Sequence, residues 1–177
     1  MEEIALAVCG AISDAEKQLL TRLLTIYNDT SKEIAQLKED IKLMTADMTG
    51  KIDLLKTIPG ISEESACEIL AEISDKPEYY FPDAGHLCAW AGLKPRNDES
   101  AKKYKSRKIL HGNPRLKSIL CQVAWVAVYA RNSSFHDWYW PHAKKLGQKK
   151  AIIAVSRKIL MTIYLLLTTK QPYCYCA

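Results

Sequence analysis

From residue 20 to residue 48, mostly apolar side chains recur at a spacing of seven. One core position is occupied by Leu20, Tyr27, Ile34, Ile41 and Met48, and the other by Leu23, Thr30, Leu37 and Met44. This register predicts a long amphipathic helix that ends near residues 49–50 and pairs with another helix as in a coiled coil. The alternative is that the stripe packs on the chain's own globule. We assign residues 1–50 to a coiled-coil connector or dimerisation helix.

Residues 51–74 show a shorter pattern, which predicts two helices around a turn at Pro59 and Gly60. Ser62 is the natural N-cap of the second helix, whose apolar stripe is Ala66, Ile69, Leu70 and Ile73. The arrangement has the form of a helix-hairpin-helix, in which Pro59, Gly60 and Ile61 would meet a DNA phosphate. An ordinary corner between two helices is the alternative.

Further helical patterns follow, separated by proline and glycine. They predict a loop over 75–82, a short helix over 84–91, and helices over 114–131, 134–146 and 148–169. Asn113 followed by Pro114 is a strong helix start, and the apolar face of that helix holds Leu116, Ile119, Leu120, Val123, Val126 and Ala127. The chain is therefore predicted to be all-α, with a compact helical domain over 51–177.

Between Gly92 and Asn113 the periodicity disappears, and cations collect there. Residues 94–117 contain nine Lys and Arg against two acids, in a chain whose formal net charge is only +5. Such a basic segment fits a polyphosphate backbone, and Tyr104 and His111 are interleaved with it. A charge run that is only solvated surface is the alternative.

The remaining composition describes an ordinary soluble protein. Apolar residues make up 48% and charged residues 25%. Six cysteines are scattered without paired metal-ligand spacing, which indicates reduced thiols and no metal site. The longest apolar run near the end, residues 159–169, is too short to cross a bilayer. With no secretory signal at the start, we expect a cytoplasmic protein that does not bind membranes.

Ser100 lies inside the basic segment, between Glu99 and Lys102–Lys103. A serine hydroxyl becomes a nucleophile when a base takes its proton or when cations stabilise the developing charge. The cations are present. Asp98, Glu99 and His111 are each candidate bases by proximity in the sequence.

Several motifs of this segment stand in a characteristic order. They are Gly92-Leu93, Pro95, Glu99-Ser100, Lys103 and Gly112-Asn113, after the upstream Ile58-Pro59-Gly60-Ile61-Ser62 and before Lys149–Ile152 and Ala154–Lys158. Over residues 50–173, the chain resembles the C-terminal domain of the bacterial insertion-sequence 110/116/902 group transposases, the bridge-RNA-guided recombinases. It departs from that pattern at Lys102, Arg107 and His111.

The resemblance implies that Ser100 attacks a DNA phosphodiester and becomes transiently linked to it. The DNA-binding residues it implies, together with the basic segment and the hairpin, are Pro59, Gly60, Ile61, Arg96, Lys102, Lys103, Lys105, Arg107, Lys108, His111, Gly112 and Asn113. Lys103, Lys105 and Lys108 would hold the scissile strand. Gly112 and Asn113 would form the turn into the supporting helix.

The family also carries an N-terminal ribonuclease-H-like domain that holds magnesium. The acids Glu2, Glu3, Asp14 and Glu16 show no such domain, so we expect no cofactor in this chain and Mg²⁺ only in the missing domain. The expected partners are DNA, a guide RNA in the full-length family, and a second copy in a homodimer or higher homo-oligomer, in the bacterial cytoplasm at the nucleoid. The isolated chain should bind DNA and cut it poorly or not at all.

Two other classes of function remain open. One is a non-catalytic helix-hairpin-helix module that binds DNA and dimerises. The other is a structural dimer whose basic loop binds nothing specific. A covalent protein–DNA adduct distinguishes the first of these from a transposase, and salt-sensitive DNA binding distinguishes the second.

Overall fold

The computed structural model describes residues 13–95, 98–100, 103–106, 111–131 and 133–175, with only the backbone for 98–100 and 103–106. The chain divides into two compact units, one that runs to Ala46 and one that starts at Asp47. Each unit is described by itself below.

The first unit is the long helix α1, Asp14–Met44. It starts with a capping box, in which the Ser13 hydroxyl accepts from the Glu16 amide and Glu16 accepts in return from the Ser13 backbone. The helix ends about five residues earlier than its heptads predict. Thr45 is its C-cap, and the Thr45 amide and hydroxyl both donate to the Ile41 carbonyl.

No residue of α1 is buried. The seam residues Leu20, Leu23, Ile34, Leu37 and Ile41 each keep about half of their surface exposed. The pairing of this helix with another one stays a prediction.

The second unit is helical, as its patterns predict. After a 3₁₀ turn at Ala46–Met48, its elements are α2 Thr49–Lys56, α3 Glu63–Ile73, a 3₁₀ turn at Pro77–Tyr79, α4 Ala84–Trp90, β1 Asp98–Ser100, β2 Lys103–Ser106, α5 Pro114–Ala127, α6 Ser134–Leu146 and α7 Gln148–Thr169. The all-α class is confirmed. The two short strands are an addition, because they pair within the segment where the sequence predicts a loop.

Helix α7 forms the centre of this unit. It packs against α2, α4, α5 and α6, and ten of its residues are buried. Among the described helices it alone is long and apolar enough to cross a membrane by length and composition, although 56% of its most apolar window is buried in the fold. A central core helix has this same composition.

The predicted start signals of α3 and α5 are confirmed in atomic detail. The Ser62 hydroxyl accepts from the Ser65 amide, and Asn113 caps α5 with Pro114 in its first turn. The predicted apolar face of α5 is wrong at one position. Val126 is 59% exposed, whereas Ala124 is fully buried, because α5 ends at Ala127 and its last turn presents Val126 to solvent.

Candidate nucleic-acid interface

The turn between α2 and α3 packs closely against α5. Gly60 has a positive φ of 91°, and a Cβ at that position would lie 2.7 Å from the carbonyl oxygen of Val123 and 2.9 Å from the nitrogen of Ala127. The Ile61 amide donates to the Ile58 carbonyl at 3.2 Å. Glycine is therefore required here for packing on α5. Phosphate binding by Pro59, Gly60 and Ile61 stays a prediction.

The cations near this turn are paired with acids. Lys56 lies 3.3 Å from Asp53 and 3.8 Å from Glu63. Lys51, at the start of α2, donates a hydrogen bond to Asp75, just after α3. This bond holds the pKa of the Asp75 carboxyl below its usual value. The hairpin thus has little uncompensated positive charge with which to attract DNA.

The basic segment is held at its base by two glycines. Gly92 has a positive φ of 71°, and a Cβ on Gly112 would overlap the backbone nitrogen of Gly92. The Asn113 amide donates to the Trp90 carbonyl at 3.2 Å. The two ends of the segment therefore meet at Gly92 and Gly112, and we call the stretch of sequence between Leu93 and Gly112 the arm.

Asn113 connects this base to the helical hairpin. Its side-chain oxygen accepts from the amides of Arg115 and Leu116 at 3.0 and 3.1 Å, and its side-chain nitrogen donates to Glu72 at 2.6 Å. Glu72 lies in the last turn of α3 and also faces the exposed guanidinium of Arg115 at 3.9 Å. One carboxylate thus ties α3, α5 and the base of the arm together.

Glu72 is a residue that the sequence patterns did not single out. A carboxylate in the last turn of a helix faces the negative end of the helix dipole. This unfavourable position could have drawn attention to Glu72 in the sequence, because it indicates that the carboxylate has a hydrogen-bond or ion-pair partner elsewhere in the fold.

Within the arm, β1 and β2 form an antiparallel ladder. Ser100 pairs with Lys103, Glu99 pairs with Tyr104, and the register shifts between Asp98 and Glu99. The Ser100–Lys103 pair is the last one before the residues that connect the two strands. The backbone therefore places Ser100 at the tip of the arm, directly across the ladder from Lys103.

The other predicted contacts divide into three groups. Lys103 and Lys105 belong to β2, whereas Arg96, Lys102, Arg107 and Lys108 lie outside the described residues. His111 and Gly112 are exposed at the base of the arm. There they line an open depression, to which Glu72, Trp90 and Arg115 also contribute.

No group of three or more potential metal ligands occurs within the part of the chain that the structure describes. Cys67, Cys88, Cys121 and Cys174 are free thiols, and burial raises the pKa of the Cys88 thiol. A low-pKa, reactive cysteine is therefore not found at Cys88.

Comparison with known proteins gives one family match and several similar proteins. Residues 52–140 match the family described as Transposase IS116/IS110/IS902. The chain is also similar to the pilin gene-inverting proteins of Moraxella bovis and Moraxella lacunata, each 30% identical over 149 residues. Each alignment covers 81% of this chain and 46% of the relative, so the chain spans about half the length of these relatives.

Proposed function

Because the chain belongs to the IS116/IS110/IS902 transposase family, we propose that it is the part of a DNA recombinase that grips the DNA backbone and supplies Ser100 as the nucleophile. The supporting observation is the position of Ser100 at the tip of an arm whose two ends are clamped at Gly92 and Gly112. A clamped base gives a reactive group a defined starting geometry.

The proposed step is a transesterification. The Ser100 Oγ bonds to the phosphorus of a DNA phosphodiester while the bond from phosphorus to one deoxyribose oxygen breaks, and the serine proton ends on the released hydroxyl. The hydroxyl of another strand then attacks the phosphoserine ester and regenerates the serine. Because one phosphoester bond is exchanged for another, no external energy source is needed.

Cations of the arm would stabilise the charge on the attacked phosphate. Lys103 is the backbone partner of Ser100 in the ladder, and Lys105 follows Lys103 on the same strand. Arg96, Lys102, Arg107 and Lys108 belong to the same stretch of sequence. Each phosphate that such a cation neutralises releases counterions, so the affinity of the chain for DNA should fall as salt rises.

Helix α1 would join copies of the chain. Its apolar seam is exposed along its length, and Leu19, Leu24 and Ile26 widen the stripe on both sides of the seam in the N-terminal half. A stripe of this width, left exposed on the helix, is apolar surface that a second copy can cover. We therefore expect a homodimer or a higher homo-oligomer in the bacterial cytoplasm, acting at the nucleoid.

Strand cleavage by the complete protein should need more than these 177 residues. The relatives are about twice as long as the matched part, and the family's ribonuclease-H-like domain would supply Mg²⁺ chemistry and contribute to guide-RNA binding. The chain by itself is expected to bind DNA but to cut it poorly or not at all.

The test is the change Ser100→Ala in the complete protein that carries these residues, with Ser106→Ala in the same arm as the matched control. Both variants should bind target DNA with unchanged affinity. The covalent protein–DNA adduct, seen by denaturing gel electrophoresis, should disappear for Ser100→Ala and persist for Ser106→Ala. An adduct that survives Ser100→Ala would refute the assignment, and a parent protein that forms none would favour the non-catalytic DNA-binding module.

A further inference from the structure

A second basic region lies beyond the arm, on α6 and the start of α7. Residues 125–158 contain seven Lys and Arg and a single acid, Asp137. The same stretch holds three of the chain's four tryptophans. Basic and aromatic residues interleaved in one stretch are the composition of surfaces that bind single-stranded nucleic acid.

Four aromatic side chains of this region form one connected surface, which we call the aromatic platform: Trp125, Tyr129, His136 and Trp140. Tyr129 meets Trp140 at a centroid distance of 5.9 Å and an angle of 73°, and His136 meets Trp140 at 6.2 Å and 63°. The buried ring of Tyr139 joins Trp125 to Trp140 from beneath, at 6.3 and 5.3 Å. These edge-to-face contacts fix the rings without stacking them on one another.

The aromatic platform is open to solvent. Tyr129 is 64% exposed, Trp140 42% and Trp125 40%. The neighbouring Val126 is also exposed. A contiguous exposed apolar patch of this kind marks an interaction site more often than an idle surface.

The charge beside the platform is positive. His136, Trp140 and Lys144 follow one another at intervals of four residues and so share one face of α6. Lys145, Lys149 and Lys150 flank the corner at Gly147 and are exposed. The only acid, Asp137, accepts hydrogen bonds from Tyr175 and contacts His136 at 3.0 Å.

We propose that the aromatic platform stacks unpaired nucleobases of a single-stranded nucleic acid, while the lysines at the α6–α7 corner contact its phosphates. Every base offers a ring face for stacking, so this binding needs no particular sequence. A duplex keeps its base faces stacked internally and offers none to the platform. The clustered lysines argue for a polyanion over an apolar protein partner.

The platform lies at the opposite end of α5 from the base of the arm. Asn113 caps the start of α5 and Trp125 sits near its end, which places them about 18 Å apart along the helix axis at 1.5 Å per residue. The proposal therefore does not depend on the nucleophile at Ser100, and the two sites can be tested separately.

The experiment measures fluorescence anisotropy of labelled oligo(dT) and oligo(rU), each of about 12 nucleotides, and of a duplex of equal length. The variants of the 177-residue chain are Tyr129→Ala, Trp140→Ala and the conservative Trp140→Phe. Tyr79→Ala is the matched control, because Tyr79 is also an exposed tyrosine, 76% accessible, with a lysine ammonium 5.7 Å from its ring.

We expect Tyr129→Ala and Trp140→Ala each to weaken single-strand binding about tenfold, with Trp140→Phe and Tyr79→Ala close to the parent. Duplex affinity should change less than twofold in all variants. Loss with oligo(rU) alone or oligo(dT) alone would assign the platform to that nucleic acid. Single-strand affinity that is unchanged in both alanine variants, or duplex affinity that falls equally, would overturn the proposal and leave the surface to a protein partner.

If the arm does not bind DNA, the same anisotropy measurements give a different result from a failure of the aromatic platform. Duplex binding by the parent chain would then be weak and insensitive to salt, while single-strand binding would still depend on Tyr129 and Trp140. Circular dichroism of each variant shows whether it is folded, and Tyr129→Ala carries the test if Trp140→Ala does not fold.

Discussion

The turn at Gly60 and the base of the arm at Gly112 both need a glycine for close backbone contact, but they differ in the charged residues around them. Both glycines let one backbone segment approach another closely, α5 at Gly60 and Gly92 at Gly112. Around the turn, Lys56 and Lys51 are paired with acids. At the base of the arm, one acid, Glu72, contacts both Asn113 and the exposed Arg115, and the arm itself continues with the cations of residues 94–108. This difference is the reason for our proposal that DNA binds mainly to the arm and that the hairpin supports the arm.

The largest effect is expected from Gly112→Ala, because the added Cβ overlaps backbone and not a movable side chain. We expect the free energy of unfolding to fall by about 3 kcal/mol. Gly60→Ala should cost nearly as much, since it combines close contact with a positive φ. Urea denaturation measures both.

Gly50→Ala is the control for these two changes. Gly50 lies in α2 and a Cβ there would meet no atom within 4 Å, so alanine should be neutral or stabilise the chain by about 0.5 kcal/mol. Equal stability of Gly112→Ala and Gly50→Ala would mean that the arm is not clamped at Gly112.

Glu72→Ala should have the next largest effect, because it removes the acceptor of the Asn113 side chain. A hydrogen bond to a charged group contributes about 1.5–3 kcal/mol, and we expect a loss of about 2 kcal/mol by urea denaturation. Glu72→Gln keeps an acceptor oxygen and should lose about half as much. The idea that Glu72 ties the arm to the hairpin fails if Glu72→Ala unfolds at the same urea concentration as Glu68→Ala, a change at an exposed acid of the same helix.

A smaller effect is expected on DNA affinity, where a lysine of the arm should matter more than a lysine of the hairpin. Lys105→Ala should weaken duplex binding severalfold and reduce the slope of log affinity against log salt by about 0.9, the value for one lost phosphate contact. Lys56→Ala should change neither, because Lys56 already pairs with Asp53 and Glu63. A salt titration that shows the larger change for Lys56→Ala would reverse the comparison.

The smallest effect concerns the ion pair of Lys51 and Asp75. The folded-state pKa of Asp75 lies below its ordinary value of 3.8, so its stabilisation is present above pH 3.8 and disappears as pH falls through the folded-state pKa. Asp75→Asn should lower the free energy of unfolding by less than about 1 kcal/mol at neutral pH, since the pair is partly exposed. The difference from the parent should shrink in acid, whereas the exposed control Glu78→Gln should match the parent throughout. A deficit of Asp75→Asn that is constant with pH would contradict this account.

Local signals predicted most of the helices because they act over a few residues. Ser62 and Asn113 cap their helices as expected, and α6 and α7 have the predicted bounds. The end of α1 was missed because the heptad pattern continues for one more turn than the helix does. The exposure of Val126 was missed because burial depends on which neighbours cover a turn.

The sequence named candidate residues for the site, whose roles stay predictions, but it did not show how the chain arranges them. Ser100, Lys103 and Asn113 were identified from motif order, and the ladder then placed Ser100 opposite Lys103. The strands were missed because a charged hairpin lacks the alternation of apolar and polar residues that marks a half-buried strand. The aromatic platform was missed because its rings come from the end of α5, the turn that follows it and α6.

The order of residues along this chain determined its helices, their caps, the cationic stretch around Ser100 and the family to which it belongs, because each of these depends on neighbours in sequence. Only the tertiary structure showed that Gly60 packs against α5 and that Gly112 contacts Gly92. It also showed that Glu72 accepts a hydrogen bond from Asn113, and that Tyr129 and Trp140 share one surface. These contacts join residues far apart in the chain, and packing of the helices around α7 brings them together.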